Sequence, residues 1–290
     1  MQTRHLGPFT VSAIGLGAMP FSLGKTPLPT EEAAIATVHA ALEAGVTYID
    51  TADIYAPTWD SIGHNERIIA KALRAYRDTS HVIVGTKGGI TRSEGEQWGR
   101  DGSPGYLRSA VEASLRALGT DVIDLYQWHR PDRWRIYGEV VSTFKDLQTE
   151  GKIRAVGISN ANVEEIDVAL EVLGEGGLAS VQNQFSPQFR TSRAELDHCR
   201  EHQVAFLPWG PLGGSNAAGD VGRRYPAFHE IGEEHAVSAQ QVVIAWELSL
   251  GEHVIPIPGA SRPASITDSA RASQLELTEE ELARIEGQFR

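Results

Sequence analysis

The sequence contains one cysteine, Cys199, among its 290 residues. One thiol excludes an intramolecular disulfide and a multi-cysteine metal site, and it fits a reducing compartment. Apolar residues nowhere run to the ~18 consecutive positions that a membrane span requires, and the first residues, Met1 to His5, lack the apolar core of a signal peptide. We therefore expect a cytoplasmic protein with no membrane partner.

Clustered basic residues are also absent. The chain has 26 Lys and Arg against 38 Asp and Glu, for a formal net charge of −12, and none of the basic residues forms a long run. Nucleic-acid binding depends on clustered Lys and Arg, so nucleic acid is not an expected partner, and an anionic ligand would need a local site. Hydrophobic residues at 41% and charged residues at 22% exclude the disordered class.

Strand and helix patterns alternate along the whole chain. An N-terminal hairpin is predicted around Gly7-Pro8, and eight strands are predicted at 12–17, 46–50, 82–87, 122–129, 153–158, 179–185, 204–209 and 253–257. Helices are predicted between them, with a further helix beginning near Thr278 and a long irregular loop at 210–225. This count predicts a (β/α)8 TIM barrel with an N-terminal β-hairpin and a C-terminal helix, as one domain over residues 1–290.

A doubly wound sheet is the alternative fold. It is disfavoured because no glycine-rich dinucleotide fingerprint enters a helix after the first strand: Gly15-Leu16-Gly17-Ala18-Met19 runs into Pro20 and more loop.

Four ionisable residues fall at the ends of consecutive predicted strands. Asp50, Lys87 and His129 each end a strand, and Tyr55 follows Asp50 by five positions. Catalytic groups of barrels lie at the C-terminal ends of the strands, so we expect these side chains to meet. One carboxylate and one imidazole fit metal binding poorly, and no metal is expected. The set suits carbonyl reduction, with Tyr55 as the acid, Lys87 lowering the tyrosine pKa, Asp50 holding Lys87, and His129 orienting the carbonyl oxygen.

These residues resemble the Asp-Tyr-Lys-His tetrad of the aldo-keto reductases, a family of (β/α)8 barrels. Other matching motifs are Gly15 to Met19, Gly157-Ile158-Ser159-Asn160, Val181-Gln182-Asn183, Trp209 to Gly214 and Ile257-Pro258-Gly259. The resemblance covers nearly the whole chain. It implies NADPH (NADP+) as cofactor, with NADH as a weaker substitute, and a small carbonyl compound as substrate.

The resemblance also assigns cofactor contacts residue by residue. Ser159, Asn160 and Gln182 would hold the nicotinamide carboxamide, Trp209 would stack on its ring, and Arg262 would pair with the 2′-phosphate. The full set of implied cofactor residues is Ala18, Met19, Asp50, Ser159, Asn160, Gln182, Trp209, Gly210, Pro211, Leu212, Gly214, Gly259, Ala260, Ser261, Arg262, Ser265 and Asp268. The family often has His-Leu and Glu-Asn where this chain has Ser265-Ile266 and Asp268-Ser269, so the adenine contacts differ.

The sequence leaves several alternatives open. A nicotinamide-binding regulatory subunit with little turnover is a second hypothesis, and a barrel isomerase or lyase is a third. Segments 57–63, 90–104 and 217–225 are expected to line the substrate pocket, with Trp59 and Trp98 either as pocket walls or as loop packing. The physiological substrate and the oligomeric state stay open, with a monomer favoured.

Overall fold

The computed structural model describes residues 1–24, 27–214 and 217–289, and its centre is a parallel sheet. Seven strands lie in the order β3 (Leu16–Gly17), β4 (Tyr48–Asp50), β5 (Ile83–Gly88), β8 (Ile123–Trp128), β9 (Ile153–Ser159), β10 (Leu178–Gln182) and β11 (Ala205–Phe206). Each pairs in parallel with its neighbour.

The eighth strand position closes the barrel through isolated bridges. Val254 bridges Phe206 and Ile257 bridges Trp209 on one side, and Gly259 bridges Gly17 on the other. Pro256 and Pro258 have no N–H to donate to a neighbouring strand. Their carbonyl oxygens do pair with the β3 side, where they accept from the backbone N–H groups of Gly15 and Gly17. The predicted (β/α)8 barrel is confirmed, although its last strand is a series of bridges.

Helices cover the outside of the barrel. They are α1 (Glu31–Glu43), α2 (His64–Ala75), α3 (Pro104–Leu118), α4 (Tyr137–Thr149), α5 (Val163–Leu173), α6 (Arg193–Glu201), α7 (Val221–Arg224), α8 (Pro226–His235), α9 (Ala239–Ser249), α10 (Pro263–Arg271) and α11 (Glu279–Gly287). Side chains cap several of these helices: Thr30 and Ser103 accept from backbone N–H groups of the first turn, and Asn162 with Glu165 makes a capping box. No described helix is long and apolar enough to cross a membrane.

An antiparallel hairpin, β1 (Thr3–Leu6) and β2 (Phe9–Ser12), covers the N-terminal end of the barrel. Its Leu6 and Val11 are buried in one cluster with Tyr48, Leu125 and other side chains of the barrel interior. Ser12 and Thr47 exchange two hydrogen bonds of 2.8 Å just before β4 begins. Because Asp50 ends the same strand, the predicted catalytic residues lie at the opposite, open end.

Two elements differ from the sequence prediction. Residues 90–100, expected as pocket-lining loop, form a hairpin of β6 (Ile90–Ser93) and β7 (Gln97–Arg100), with Gly95 and Glu96 at positive φ in its turn. The prediction of an irregular loop over 210–225 is wrong in part, because its last residues form α7 and α8 follows directly. Residues 215 and 216 of this loop lie outside the described part of the chain. Few apolar side chains of α8 are buried, Phe228 and Ile231 among them, so its sequence shows little helical periodicity.

Candidate active site

A buried ion pair lies at the centre of the site. Lys87 Nζ is 2.6 Å from Asp50 Oδ1 and also donates to the backbone carbonyl of Thr51 at 2.8 Å. The Lys87 side chain is fully buried. Burial alone would lower the pKa of Lys87, but the charges of Asp50 and Tyr55 reverse that effect and raise it. Lys87 is therefore a fixed cation inside the barrel.

Asp50 is held by more than Lys87. Its Oδ2 accepts hydrogen bonds from Gln182 Nε2 at 2.7 Å and from Gln127 Nε2 and Tyr48 Oη at 3.3 Å each. Both carboxylate oxygens thus accept hydrogen bonds, which compensates their removal from water. Tyr48 and Gln127 were not foreseen as site residues, because positions inside apolar strands have the pattern of ordinary core.

Tyr55 reaches the ion pair from the loop after β4. Its hydroxyl oxygen is 3.5 Å from Lys87 Nζ, and the loop is fixed by hydrogen bonds from Asp53 N to Lys87 O and from Tyr55 N to Ala52 O. Burial raises the pKa of Tyr55 above its ordinary value, and the charge of Lys87 opposes the rise only in part. Lys87 therefore lowers the pKa of Tyr55 as predicted, but desolvation is the larger effect and the net shift is upward.

His129 completes the group at the end of β8. Its ring lies edge-on to that of Tyr55, with the centroids 5.6 Å apart and the planes at 84°. Burial, with smaller contributions from the charges of Lys87 and Arg130, holds the pKa of His129 well below its usual range. The imidazole is therefore neutral near pH 7. Its Nδ1 is buried without a hydrogen-bond partner in the described part of the chain.

A cavity of about 330 Å3 opens above these side chains. Most of the predicted site residues line it: Met19, Asp50, Tyr55, His129, Ser159, Asn160, Gln182, Trp209, Gly210, Pro211, Leu212, Gly214 and Gly259. Lys87 lies behind Asp50 and Tyr55. Six other predicted cofactor residues do not line the cavity: Ala18, Ala260, Ser261, Arg262, Ser265 and Asp268.

The two alanines pack in the core between the sheet and the helices. Arg262 is exposed at the N-cap position of α10, and its Nη2 donates to Ser265 Oγ at 3.4 Å. Asp268 faces α9: its two carboxylate oxygens accept from Ser238 Oγ and Gln241 Nε2 at 2.6 Å each. A contact from Asp268 to adenine would have to share or replace these bonds.

One wall of the cavity offers amide and hydroxyl groups around Ser159 and Asn160. Asn160 has a left-handed backbone (φ 58°), and its Nδ2 donates to His129 O at 3.0 Å and to Ser159 Oγ at 2.9 Å. Ser159 Oγ in turn donates to Gln182 O at 2.7 Å. These bonds tie the polar wall to the strand end that carries His129.

Two of the three segments predicted to line the pocket contribute to the cavity wall, and one does not. Ile90 and Trp98 of the β6–β7 hairpin line the cavity, and so does Ala218. Segment 57–63 does not: its Ile62 and Gly63 line a different cavity between α2 and α3, and Trp59 is outside both. Sequence reasoning also missed Leu23, Ile54 and Arg130 as lining residues. Arg130 directly follows His129 at a strand end, and this position is the sequence signal for its place in the cavity wall.

The structure thus brings a buried Asp-Lys pair, a tyrosine and a neutral histidine together at the C-terminal ends of the strands of a parallel α/β barrel. The aldo/keto reductase family model matches residues 13–288, and the chain belongs to that family. It is a nicotinamide-dependent oxidoreductase.

Named relatives support the assignment. The chain is 33% identical over 281 residues to a 6-dehydroglucose reductase of Novosphingobium aromaticivorans, covering 93% of this chain and 89% of the relative. It is 31% identical over 287 residues to an uncharacterized oxidoreductase of Schizosaccharomyces pombe, covering 98% and 89%. Among solved structures, an aldo/keto reductase from Klebsiella pneumoniae in complex with NADP and acetate is 26% identical, with a TM-score of 0.81 and coverage of 99% and 95%.

Proposed function

We propose that the protein catalyses the reversible NADPH-dependent reduction of an aldehyde or ketone to the alcohol, with Tyr55 as the general acid. The observation that carries the proposal is the approach of Tyr55 Oη to within 3.5 Å of Lys87 Nζ, at the base of the cavity and beside the ring of His129. A carbonyl oxygen bound here would lie beside all three groups: Tyr55 as the acid, Lys87 as the cation that stabilises its conjugate base, and His129 as a neutral hydrogen-bond donor.

Tyr55 holds its proton until the reaction requires it. Because its pKa is raised, the phenol is protonated at neutral pH. Transfer of that proton to the substrate oxygen leaves a phenolate, whose charge is stabilised by Lys87 at 3.5 Å. Asp50 keeps Lys87 in place through the 2.6 Å ion pair. The reverse reaction, alcohol oxidation, uses the same groups with the proton returning to Tyr55.

His129 positions the carbonyl group. A neutral imidazole donates one hydrogen bond, and the depressed pKa of His129 keeps it neutral across the physiological range. The hydrogen bond from Asn160 Nδ2 to the backbone carbonyl of His129 fixes the strand end from which the ring projects. His129 thus orients the substrate oxygen without competing with Tyr55 to give up a proton.

The polar wall fits a nicotinamide. Ser159, Asn160 and Gln182 supply hydroxyl and amide groups for a carboxamide, and the Trp209 ring borders the same space. Gly210 and Gly214 have positive φ, and a Cβ added at Gly214 would meet no atom of the described residues within 4 Å. A phosphate could therefore approach the backbone here. Bound there, the reduced nicotinamide would supply the hydride. The complex of the Klebsiella pneumoniae structure with NADP supports NADPH as the cofactor. Arg262 would pair with the 2′-phosphate of that cofactor.

Replacement of Tyr55 tests the proposal. Tyr55→Phe should slow single-turnover hydride transfer, followed by NADPH absorbance with an aldehyde panel, by about 10² to 10⁴-fold because the acid is removed. NADPH affinity, measured by protein fluorescence, should hardly change because the ring remains. Tyr76→Phe, which removes a hydroxyl remote from the cavity, is the matched control. A loss below about tenfold would remove Tyr55 from the role, and binding without turnover in the parent would favour the regulatory alternative.

A further inference from the structure

Arg130 is the one lysine or arginine among the described residues that line the cavity. It follows His129 directly, and its guanidinium carbon lies 5.9 Å from the centroid of the Trp209 ring. The side chain is half-buried, and burial lowers the pKa of Arg130, with a further contribution from the charge of Arg100. The guanidinium nevertheless stays charged at any physiological pH.

Arg130 lacks the acidic partner that its neighbours have. Arg133 pairs with Glu165 at 2.7 Å, and Arg135 pairs with Asp132 at 2.7 Å. No carboxylate of the described residues lies within 4.0 Å of Arg130, and none of its N–H groups has a hydrogen-bond acceptor there. The same loop thus neutralises two arginines and leaves the third, which faces the cavity, to the solvent.

No other described residue of the cavity wall offsets this charge. The negative charge of Asp50 is matched by Lys87 at 2.6 Å, and Tyr55 and His129 are neutral near pH 7. The site therefore carries one uncompensated positive charge inside a protein whose formal net charge is −12. Such a charge attracts an anion locally while the rest of the surface repels it.

We propose, on the basis of the proposed carbonyl reduction, that the natural substrate is an aldehyde or ketone carrying a carboxylate or phosphate, and that Arg130 binds this anionic group. A guanidinium presents a planar fork of donors that matches the oxygens of either group. Arg130 and His129 are consecutive, so one strand end orients the carbonyl and holds the anion. Ile90 and Trp98 of the hairpin supply an apolar wall for the carbon skeleton between them.

A charged substrate and its neutral ester test the proposal. NADPH oxidation is measured with 4-carboxybenzaldehyde and with its methyl ester, for the parent, Arg130→Gln and Arg130→Lys. We expect Arg130→Gln to lower kcat/KM for the acid by about 10- to 150-fold, the loss of a charged hydrogen bond, and to change the ester less than about threefold. Arg130→Lys should lie between, since it keeps the charge and loses the fork. Arg154→Gln, which removes a charge that pairs with Asp124 away from the cavity, is the control.

The cofactor is the alternative source of the anion. NADPH affinity, titrated by protein fluorescence, should be the same in the parent and Arg130→Gln; a matching loss there would assign Arg130 to the cofactor phosphates and overturn the proposal. Equal losses for the acid and the ester would overturn it as well, while leaving carbonyl reduction intact.

Ligand binding distinguishes a failure of the proposed reductase function from a failure of the anion site. If the parent reduces neither aldehyde, the product-like 4-(hydroxymethyl)benzoate and its methyl ester are titrated without turnover in the presence of NADPH. If the parent binds the acid more tightly than the ester and Arg130→Gln abolishes this preference, the anion site is supported and the reductase function is rejected. No preference for the acid would discard the anion site.

Discussion

Loss of the Lys87 ammonium should destabilise the protein strongly, because Asp50 would remain as a buried carboxylate. The two groups are 2.6 Å apart, and their side chains are 0% and 4% exposed. Removing one partner of a buried ion pair typically costs about 3 to 5 kcal/mol, since the other charge is left uncompensated. Lys87→Met keeps the chain length and apolar stem, so the loss reports the charge and not a cavity.

Hydrogen bonds that remain around Asp50 reduce the expected loss. Gln182 donates to Oδ2 at 2.7 Å, and Gln127 and Tyr48 donate to the same oxygen at 3.3 Å. Oδ1 loses its ammonium donor. We therefore expect Lys87→Met to lower the free energy of unfolding by about 3 kcal/mol, at the lower end of the range for such pairs.

Urea unfolding of the parent, Lys87→Met, Asp50→Asn and the double variant provides the measurement. The double variant contains no unpaired buried charge, so it should be more stable than Lys87→Met alone. The pKa of Lys87 is raised in the folded protein, so its contribution is fully present below the ordinary lysine pKa and is lost as the pH rises through the folded value. The gap between parent and Lys87→Met should stay constant from pH 6 to 9 and narrow above ~10.5.

Two results would refute this reasoning. A loss below about 1 kcal/mol for Lys87→Met would mean that water or backbone movement compensates Asp50. Additive losses in the double variant would mean that the two side chains stabilise the fold independently, and not as a pair.

Two other substitutions have defined outcomes. Arg262→Ala should weaken NADPH binding by roughly 10- to 150-fold and leave NADH binding nearly unchanged, because only NADPH has the 2′-phosphate; equal weakening in fluorescence titrations with both cofactors would exclude that role. Glu247 is fully buried with neither carboxylate oxygen hydrogen-bonded in the described chain, and burial raises its pKa well above the ordinary value. A carboxyl group whose pKa is raised in the folded protein lowers the free energy of unfolding as the pH rises above the pKa of the unfolded state. Glu247→Gln should therefore have a higher Tm than the parent at pH 8, and the difference in Tm should shrink toward pH 4. A difference that does not change with pH would contradict the raised pKa of Glu247.

Strand ends made the ion pair predictable. Asp50, Lys87 and His129 each follow an apolar run, and parallel strands of a barrel bring such ends together. Tyr48 and Gln127 lie inside their strands, where sequence position gives no sign that a side chain turns toward Asp50. Their contacts depend on the stagger between strands, which single-strand patterns do not contain.

Burial explains the remaining differences. Lys87 was expected to set the pKa of Tyr55, but the direction of the shift follows desolvation, which depends on how completely neighbouring loops enclose the phenol. Arg130 reads in sequence as one of three arginines in a polar loop, and only tertiary contacts show which of them lack an acid. The extent of the chain as one domain and the roles of the site residues stay predictions.

The position of the hairpin at the N-terminus affects how the protein folds during synthesis. Leu6 and Val11 are buried against side chains from across the chain, including Ile255 and Ile257. A ribosome therefore releases the first strands long before their last partners exist, and at ~5 to 20 residues per second the interval is roughly 12 to 50 seconds. During that time two apolar strands of the nascent chain lack part of their final packing. Apolar surface of the nascent hairpin is therefore available to chaperones until the last strand is made.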